Sequence, residues 1–122
     1  MYELTIVSSF SSAHNIRGYE GACENLHGHN WRVEVRVIAE KPGPLGMVID
    51  FKKLKTETKK ILDGLDHRYL NEVPPFDKLN ATAENIARFI YIELGKAVNG
   101  ADAKVSKVRV WESDNAAAAY NE

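Results

Sequence analysis

The sequence predicts an α+β fold in which two helices pack on an antiparallel sheet of four strands. Three observations support this prediction: two segments of alternating apolar and polar residues near the start, two segments with apolar residues at helical spacing in the middle, and a return to alternation near the end. Strands that follow one another directly in sequence favour antiparallel pairing. The order β-β-α-α-β-β therefore indicates α+β rather than alternating α/β.

Two strands are predicted before the helices. Tyr2–Ile6 alternates apolar and polar residues, and the same phase places Phe10 and His14 on its apolar face. After a glycine-containing loop, Trp31–Val37 alternates with a period of two. Extending that phase backwards puts both histidines of the His27–His29 segment on the face of the tryptophan.

Two helices are predicted next. Asp50 is a plausible N-cap for the first helix, and Gly64 suits its C-terminus. The second helix begins near Thr82, another plausible cap, and stops at Asn99-Gly100. In both segments apolar residues recur every three or four positions, as expected for helices with one buried face.

Two further strands complete the sheet. A third strand is predicted over Val105–Glu112, with Val108 and Val110 in phase with Glu112, and a short fourth strand runs through Ala116–Tyr120. A four-stranded open sheet has two edges, which proteins pair, cover or blunt. We therefore expect self-association through these edges.

Size and composition predict one domain over residues 1–122. The 122 residues are 44% hydrophobic and 27% charged with a net charge of −1, which is ordinary for a globular protein and does not favour a nucleic-acid or membrane-surface binder. No apolar run is long enough to span a membrane, and no secretory signal is visible. With a single cysteine, no disulfide can form within the chain. The expectation is a soluble cytoplasmic protein.

The histidines are the residues that point to a metal. His27 and His29 stand two apart on a predicted strand, so both imidazoles point the same way. An isolated His-x-His pair is often a coincidence. His14 on the neighbouring predicted strand adds a third imidazole on the same face. Three histidines with an open position are a typical set for catalytic zinc.

Cys23 stands four residues before His27 and has three possible roles. It could be a fourth zinc ligand that closes a structural site. It could be a thiolate base or nucleophile beside an open metal site. It could also be an inert thiol. The residues alone leave these alternatives open.

Three further residues are candidates for the chemistry. Asp66 could orient and stabilise His67 as in catalytic triads, although a surface pair at a helix end is equally compatible with the spacing. Glu112 shares the phase of two apolar valines, and a carboxylate that is buried there needs a partner. That partner could be a ligand with adjacent N–H donors, such as a pterin or guanine edge. The alternative is that the end of the strand frays and exposes Glu112 to solvent.

The chain resembles the 6-pyruvoyl-tetrahydropterin synthase family. The resemblance spans nearly the whole chain and rests on several motifs in the family's order. These are Phe10–His14, Cys23–Trp31, Gly46–Phe51, Leu65–Asn71, Thr82–Asn85 and Val110–Glu112. One departure is Ala81, which stands where a proline often precedes the threonine.

The resemblance implies a role for each candidate. His14, His27 and His29 would bind zinc. Cys23 would be the general base, assisted by Asp66 and His67. Glu112 would anchor the pterin ring. The implied architecture is the tunnelling fold (T-fold), in which subunits join their sheets into a barrel, commonly as a homohexamer made of two trimers with active sites between subunits.

Within the family, the chain looks closest to the 6-carboxy-tetrahydropterin synthases of queuosine biosynthesis. Three residues separate Cys23 from His27, whereas the animal-type pyruvoyl enzymes typically have a longer gap. The implied reaction is a zinc-dependent carbon–carbon cleavage of 7,8-dihydroneopterin triphosphate, which releases acetaldehyde and triphosphate. The alternatives are a 6-pyruvoyl synthase, which eliminates triphosphate only, and a non-catalytic zinc- or pterin-binding protein.

Overall fold

The computed structural model describes residues 1–19, 21 and 25–122. The elements, in chain order, are β1 (Tyr2–His14), β2 (His27–Ala39), α1 (Phe51–Asp63), α2 (Ala83–Val98), β3 (Ala103–Ser113) and β4 (Ala116–Tyr120). The predicted α+β class and the β-β-α-α-β-β order are confirmed. The structure adds a short 3-10 turn between the helices, which the sequence pattern does not predict.

The four strands form one antiparallel sheet in the order β1-β2-β3-β4, so β1 and β4 are its edges. Every residue of β1 has a partner on β2. This register sets His14 opposite His27 and Ser12 opposite His29. The predicted histidine-bearing ends of the two strands therefore meet at one end of the sheet.

The two helices cover one face of the sheet and bury the centre of β2. Trp31 and the three following alternate residues, Val33, Val35 and Val37, have no exposed surface. Burying a side chain of this size contributes about 1.5–3 kcal/mol. The strand that carries His27 and His29 is thus fixed at the centre of the core.

Both helix starts agree with the caps predicted from the sequence. The Asp50 carboxylate accepts a hydrogen bond from the Lys52 N–H at 2.9 Å, and the Thr82 hydroxyl accepts one from the Asn85 N–H at 3.1 Å. The cap at Thr82 also fixes the backbone directly beside Ala81, which contacts the site described below. Within the described part of the chain, no helix is long and apolar enough to cross a bilayer.

Candidate metal centre

Three imidazoles meet on the helix-facing side of the sheet. The ring centroids of His14 and His27 are 4.6 Å apart, those of His14 and His29 are 5.1 Å apart, and those of His27 and His29 are 4.8 Å apart. Pairing of β1 with β2 brings His14 opposite His27. The period of two along β2 places His29 on the same face as His27. The predicted convergence of the three histidines is therefore observed.

Glu112 joins this group from β3. Its Oε1 lies 3.0 Å from the Nε2 of His29 and 3.9 Å from the Nε2 of His14. One potential ligand atom from each of the four residues lies within 4.8 Å of all the others. The sequence reasoning expects Glu112 to contact a ligand but does not place it against the histidines. Glu112 is also the residue at which the β3–β4 register shifts, so it has no partner on β4.

Backbone carbonyls orient two of the imidazoles. The Nδ1 of His14 lies 2.7 Å from the carbonyl oxygen of Ala81, and the Nδ1 of His27 lies 2.7 Å from that of Asn25. Because a carbonyl oxygen only accepts hydrogen bonds, each Nδ1 must carry the proton. Each Nε2 then presents its lone pair, as metal-ligating histidines usually do.

The unpaired atoms of the cluster fit a cation. Among the described residues, the buried Nε2 atoms of His14 and His29 form no hydrogen bond, since the Glu112 oxygen 3.0 Å from His29 contacts it without hydrogen-bond geometry. The His14 lone pair and the Glu112 carboxylate are both acceptors directed into the same small space. A buried acceptor without a donor, such as Nε2 of His14, is costly, and a metal ion bound by the imidazoles would remove that cost.

The environment also keeps the imidazoles in the form that binds metal. Burial lowers the pKa of His14, against the opposing effect of its hydrogen bond to Ala81. Burial likewise lowers the pKa of His29, and the Glu112 carboxylate partly offsets this effect. A lowered pKa favours the neutral imidazole, and only the neutral form has a lone pair to give.

An indole forms the floor of the cluster. The rings of His14 and His29 each meet Trp31 edge-on at centroid distances of 5.0 Å. Trp31 is completely buried and donates its indole N–H to the Ser12 carbonyl at 3.3 Å. This apolar floor keeps water away from one side of the cluster, which strengthens electrostatic interactions within it.

The Asp66–His67 pair lies against the outer edge of β1. The Ser11 N–H donates to Oδ1 of Asp66 at 2.8 Å, and the Ser11 carbonyl accepts from the His67 N–H at 2.6 Å. The other Asp66 oxygen lies 3.0 Å from Nδ1 of His67, as predicted for an orienting carboxylate. The Ser11 hydrogen bond, and secondarily His67, lowers the pKa of Asp66, so the carboxylate stays charged at lower pH than a free aspartate.

His67 has an unusual backbone and an exposed ring. Its φ of 55° lies in the left-handed region, which residues other than glycine seldom adopt and which clusters at functional sites. Its side chain is 82% exposed. His67 and its two successors line an open cavity of about 500 Å³ together with residues of β1 and β2, which are Ser11, Ser12, Ala13, Gly28, His29 and Asn30.

Neither Asp66 nor His67 is part of the four-residue cluster. The structure therefore does not bring all predicted site residues into one group within the described chain. Cys23 lies outside the described residues, and its predicted role as a base stays a prediction.

Sequence reasoning missed the groups that orient the histidines. The carbonyls of Ala81 and Asn25 do so through their backbone, and the identity of their side chains carries no sign of it. Alanine in place of the family's frequent proline at position 81 leaves this contact intact, since either residue has the carbonyl oxygen. The alternation around Trp31 did indicate its place beside the histidines.

Comparison with known proteins identifies the family. A family model described as 6-pyruvoyl tetrahydropterin synthase matches residues 3–122. The chain belongs to this family. The resemblance inferred from the motifs is therefore confirmed, and it extends over almost the entire chain.

Similar proteins within the family have different names. A Haemophilus influenzae protein called 6-carboxy-5,6,7,8-tetrahydropterin synthase is 35% identical, and the alignment covers 100% of each chain. A Pyrococcus furiosus protein called dihydroneopterin monophosphate aldolase is 36% identical over 88% of this chain and 86% of its own. The solved structure of Caenorhabditis elegans 6-pyruvoyl tetrahydropterin synthase superimposes with a TM-score of 0.87 at 29% identity and covers 99% of this chain and 95% of its own. The tetrahydropterin synthase fold is thus shown.

Proposed function

We propose that the protein is a zinc-dependent 6-carboxy-tetrahydropterin synthase. Its substrates would be 7,8-dihydroneopterin triphosphate and one water molecule, and its products 6-carboxy-5,6,7,8-tetrahydropterin, acetaldehyde and triphosphate. The observation that carries the proposal is the convergence of His14, His27 and His29, with two unpaired Nε2 atoms, in a member of a pterin synthase family. The carboxy product is favoured by the full-length relative of that name and by the short spacing between Cys23 and His27.

The metal would be held by His14, His27 and His29. Zinc accepts imidazole nitrogen and, when bound there, supplies Lewis acidity toward the side-chain hydroxyls of the substrate. The lowered pKa values of His14 and His29 support this assignment, because both residues then stay neutral and able to bind.

Glu112 would anchor the pterin ring through its carboxylate, which can accept from two neighbouring N–H groups of the ring. It borders a cavity of about 150 Å³ that is also lined by Ala83 and Glu84 at the start of α2 and by Ala116–Ala118 of β4. Small-molecule sites usually measure about 300–1,000 Å³. A cavity of this size beside an edge strand is consistent with a site that a second subunit completes.

Cys23 and the Asp66–His67 pair would move the proton. Cys23 as a thiolate would take a proton from a side-chain carbon of the substrate. His67, held by Asp66 at 3.0 Å, would pass a proton through its exposed ring. Because His67 lies at the edge of β1 and outside the histidine cluster, we propose that it serves the metal site of a neighbouring subunit.

The assembly would use the edges of the sheet. In the described chain, β4 has a side without a strand partner, and so does β1 except near its end, where Ser11 and Ala13 bond to the segment 66–69. Joining these edges between subunits would close the sheets into a barrel, and two three-subunit barrels would give the proposed homohexamer.

The product identifies the reaction. We expect purified protein given 7,8-dihydroneopterin triphosphate to yield 6-carboxy-tetrahydropterin by mass spectrometry, and a chelated sample to yield none. A 6-pyruvoyl product would keep the proposed site but replace the proposed reaction with triphosphate elimination. Turnover only of the monophosphate would indicate the aldolase activity that the Pyrococcus relative's name describes. No product from a zinc-loaded protein would favour the non-catalytic binding protein.

Glu112→Gln tests the anchoring role. Loss of a charge-assisted hydrogen bond costs about 1.5–3 kcal/mol, so we expect KM to rise about 10- to 100-fold while zinc stays bound. Glu84→Gln is the matched control, because it removes a carboxylate from the same cavity without touching the histidines. If Glu112→Gln instead loses zinc and keeps its KM when zinc is restored, Glu112 is a metal ligand and does not anchor the ring.

A further inference from the structure

Two asparagine side chains form hydrogen bonds to the backbone just after His14. Asn71 accepts from the Asn15 N–H at 3.1 Å and donates to the Asn15 carbonyl at 2.9 Å. Asn80 accepts from the Arg17 N–H and donates to the Arg17 carbonyl, both at 3.1 Å. Each amide thus pairs with both polar groups of one residue, as a neighbouring strand would.

The same segment of the chain, residues 69–81, contacts the start of this loop at further points. The Ala81 carbonyl accepts from His14 Nδ1, and the Tyr69 hydroxyl donates to Asn15 Oδ1 at 2.5 Å. Arg17 donates through Nη2 to the carbonyls of Asn71 at 3.1 Å and Phe76 at 2.8 Å. The imidazole of His14 and the backbone that follows it are therefore held by one segment.

We propose that Asn71 is a positioning residue of the metal site. It fixes the backbone beside His14 so that Nε2 of His14 stays directed at His27 and His29. The proposal rests on the proposed role of these histidines as metal ligands. Asn71 closes the Leu65–Asn71 motif, and neither the proton-transfer groups nor the proposed ligands account for it.

Of the two asparagines, Asn71 should restrain the backbone more strongly, because it is the more buried. Asn71 is 9% exposed and acts one residue from His14, whereas the Asn80 bonds are exposed and act three residues away. Exchange of Asn71 for aspartate keeps its shape but turns the donor Nδ2 into an oxygen that faces the Asn15 carbonyl. One hydrogen bond becomes a repulsion of two acceptors, so the backbone after His14 must shift. Groups that orient metal ligands typically contribute about 10- to 100-fold to metal affinity.

The test compares zinc affinity, measured by competition with a chelator, for the full-length wild type and three variants. We expect Asn71→Asp to bind zinc about 10- to 100-fold more weakly than the wild type. Asn80→Asp should lose less zinc affinity than Asn71→Asp. Thr58→Ala is the stability control, because it removes a buried hydrogen bond on α1 and touches no site residue. It should lower the apo-protein Tm without changing zinc affinity. The absorption spectrum of the cobalt-substituted protein should change in Asn71→Asp and not in Thr58→Ala.

Wild-type zinc affinity and cobalt spectrum in Asn71→Asp, with only a lower Tm, would overturn the positioning role and leave a structural one. If Asn71→Asp does not fold, Asn71→Ala gives the same comparison without a new charge. Failure of the proposed function looks different, since wild-type protein would then bind zinc without forming product. Wild-type protein that binds no zinc would overturn both proposals.

Discussion

Replacing His27 with alanine should remove most of the protein's affinity for zinc and with it the catalytic activity. Even groups that only orient a ligand contribute about 10- to 100-fold, so loss of a ligand should weaken binding by more than about 100-fold. His27 is the most suitable of the three histidines to replace. His14 is almost fully buried and its loss would disturb the core, whereas His27 is half-buried and lies at the start of β2.

Two readouts separate metal loss from misfolding. Zinc should raise the Tm of the wild type by an amount that grows with the logarithm of its concentration above Kd, and it should not raise the Tm of His27→Ala at the same concentration. Circular dichroism should remain that of the wild type, because the core of β2 begins at Trp31.

His67→Ala is the matched control for His27→Ala. It removes another imidazole, but one that lies outside the four-residue cluster. This variant should keep its zinc and lose turnover. Equal zinc affinity in His27→Ala and the wild type would exclude the proposed ligand set, and loss of zinc in His67→Ala would show that the site includes residues beyond the cluster.

Cys23→Ala should lower turnover by about 10²- to 10⁴-fold, which is the usual contribution of a general base. Zinc should stay bound, because the three imidazoles that would hold it come together without the thiol. Turnover and zinc content should be measured on the same preparation. Cys23→Ser, which keeps the size of the side chain but is far harder to ionise, should resemble Cys23→Ala rather than the wild type.

The binding-protein alternative predicts another result for Cys23→Ala. A zinc site closed by the thiolate would lose zinc and stability together when the sulfur is removed. Near-wild-type turnover in Cys23→Ala would exclude the thiol as the base. A low zinc content would identify the closed zinc site, whereas an unchanged rate would show that the thiol is not the base.

The sequence was sufficient for the four strands, the two α-helices and three of the four residues of the cluster. Alternation along β1 and β2 depends only on the period of two, so the sequence alone places His14, His27 and His29 on one face. Asp50 and Thr82 marked the starts of the helices because capping depends on a side chain near its own backbone. Predictions of this kind concern local geometry, which is determined by residues close in sequence.

The tertiary structure alone decided what completes the site. The Ala81 carbonyl meets His14 across 67 positions of sequence, and backbone oxygen is common to all residues, so no pattern could reveal it. The contact of Glu112 with His29 required β3 to pair with β2. The asparagine hydrogen bonds to Asn15 required the segment between the helices to fold against the end of β1. Residue type and spacing determine which groups can bind a metal, whereas the packing of distant segments determines which atoms face it.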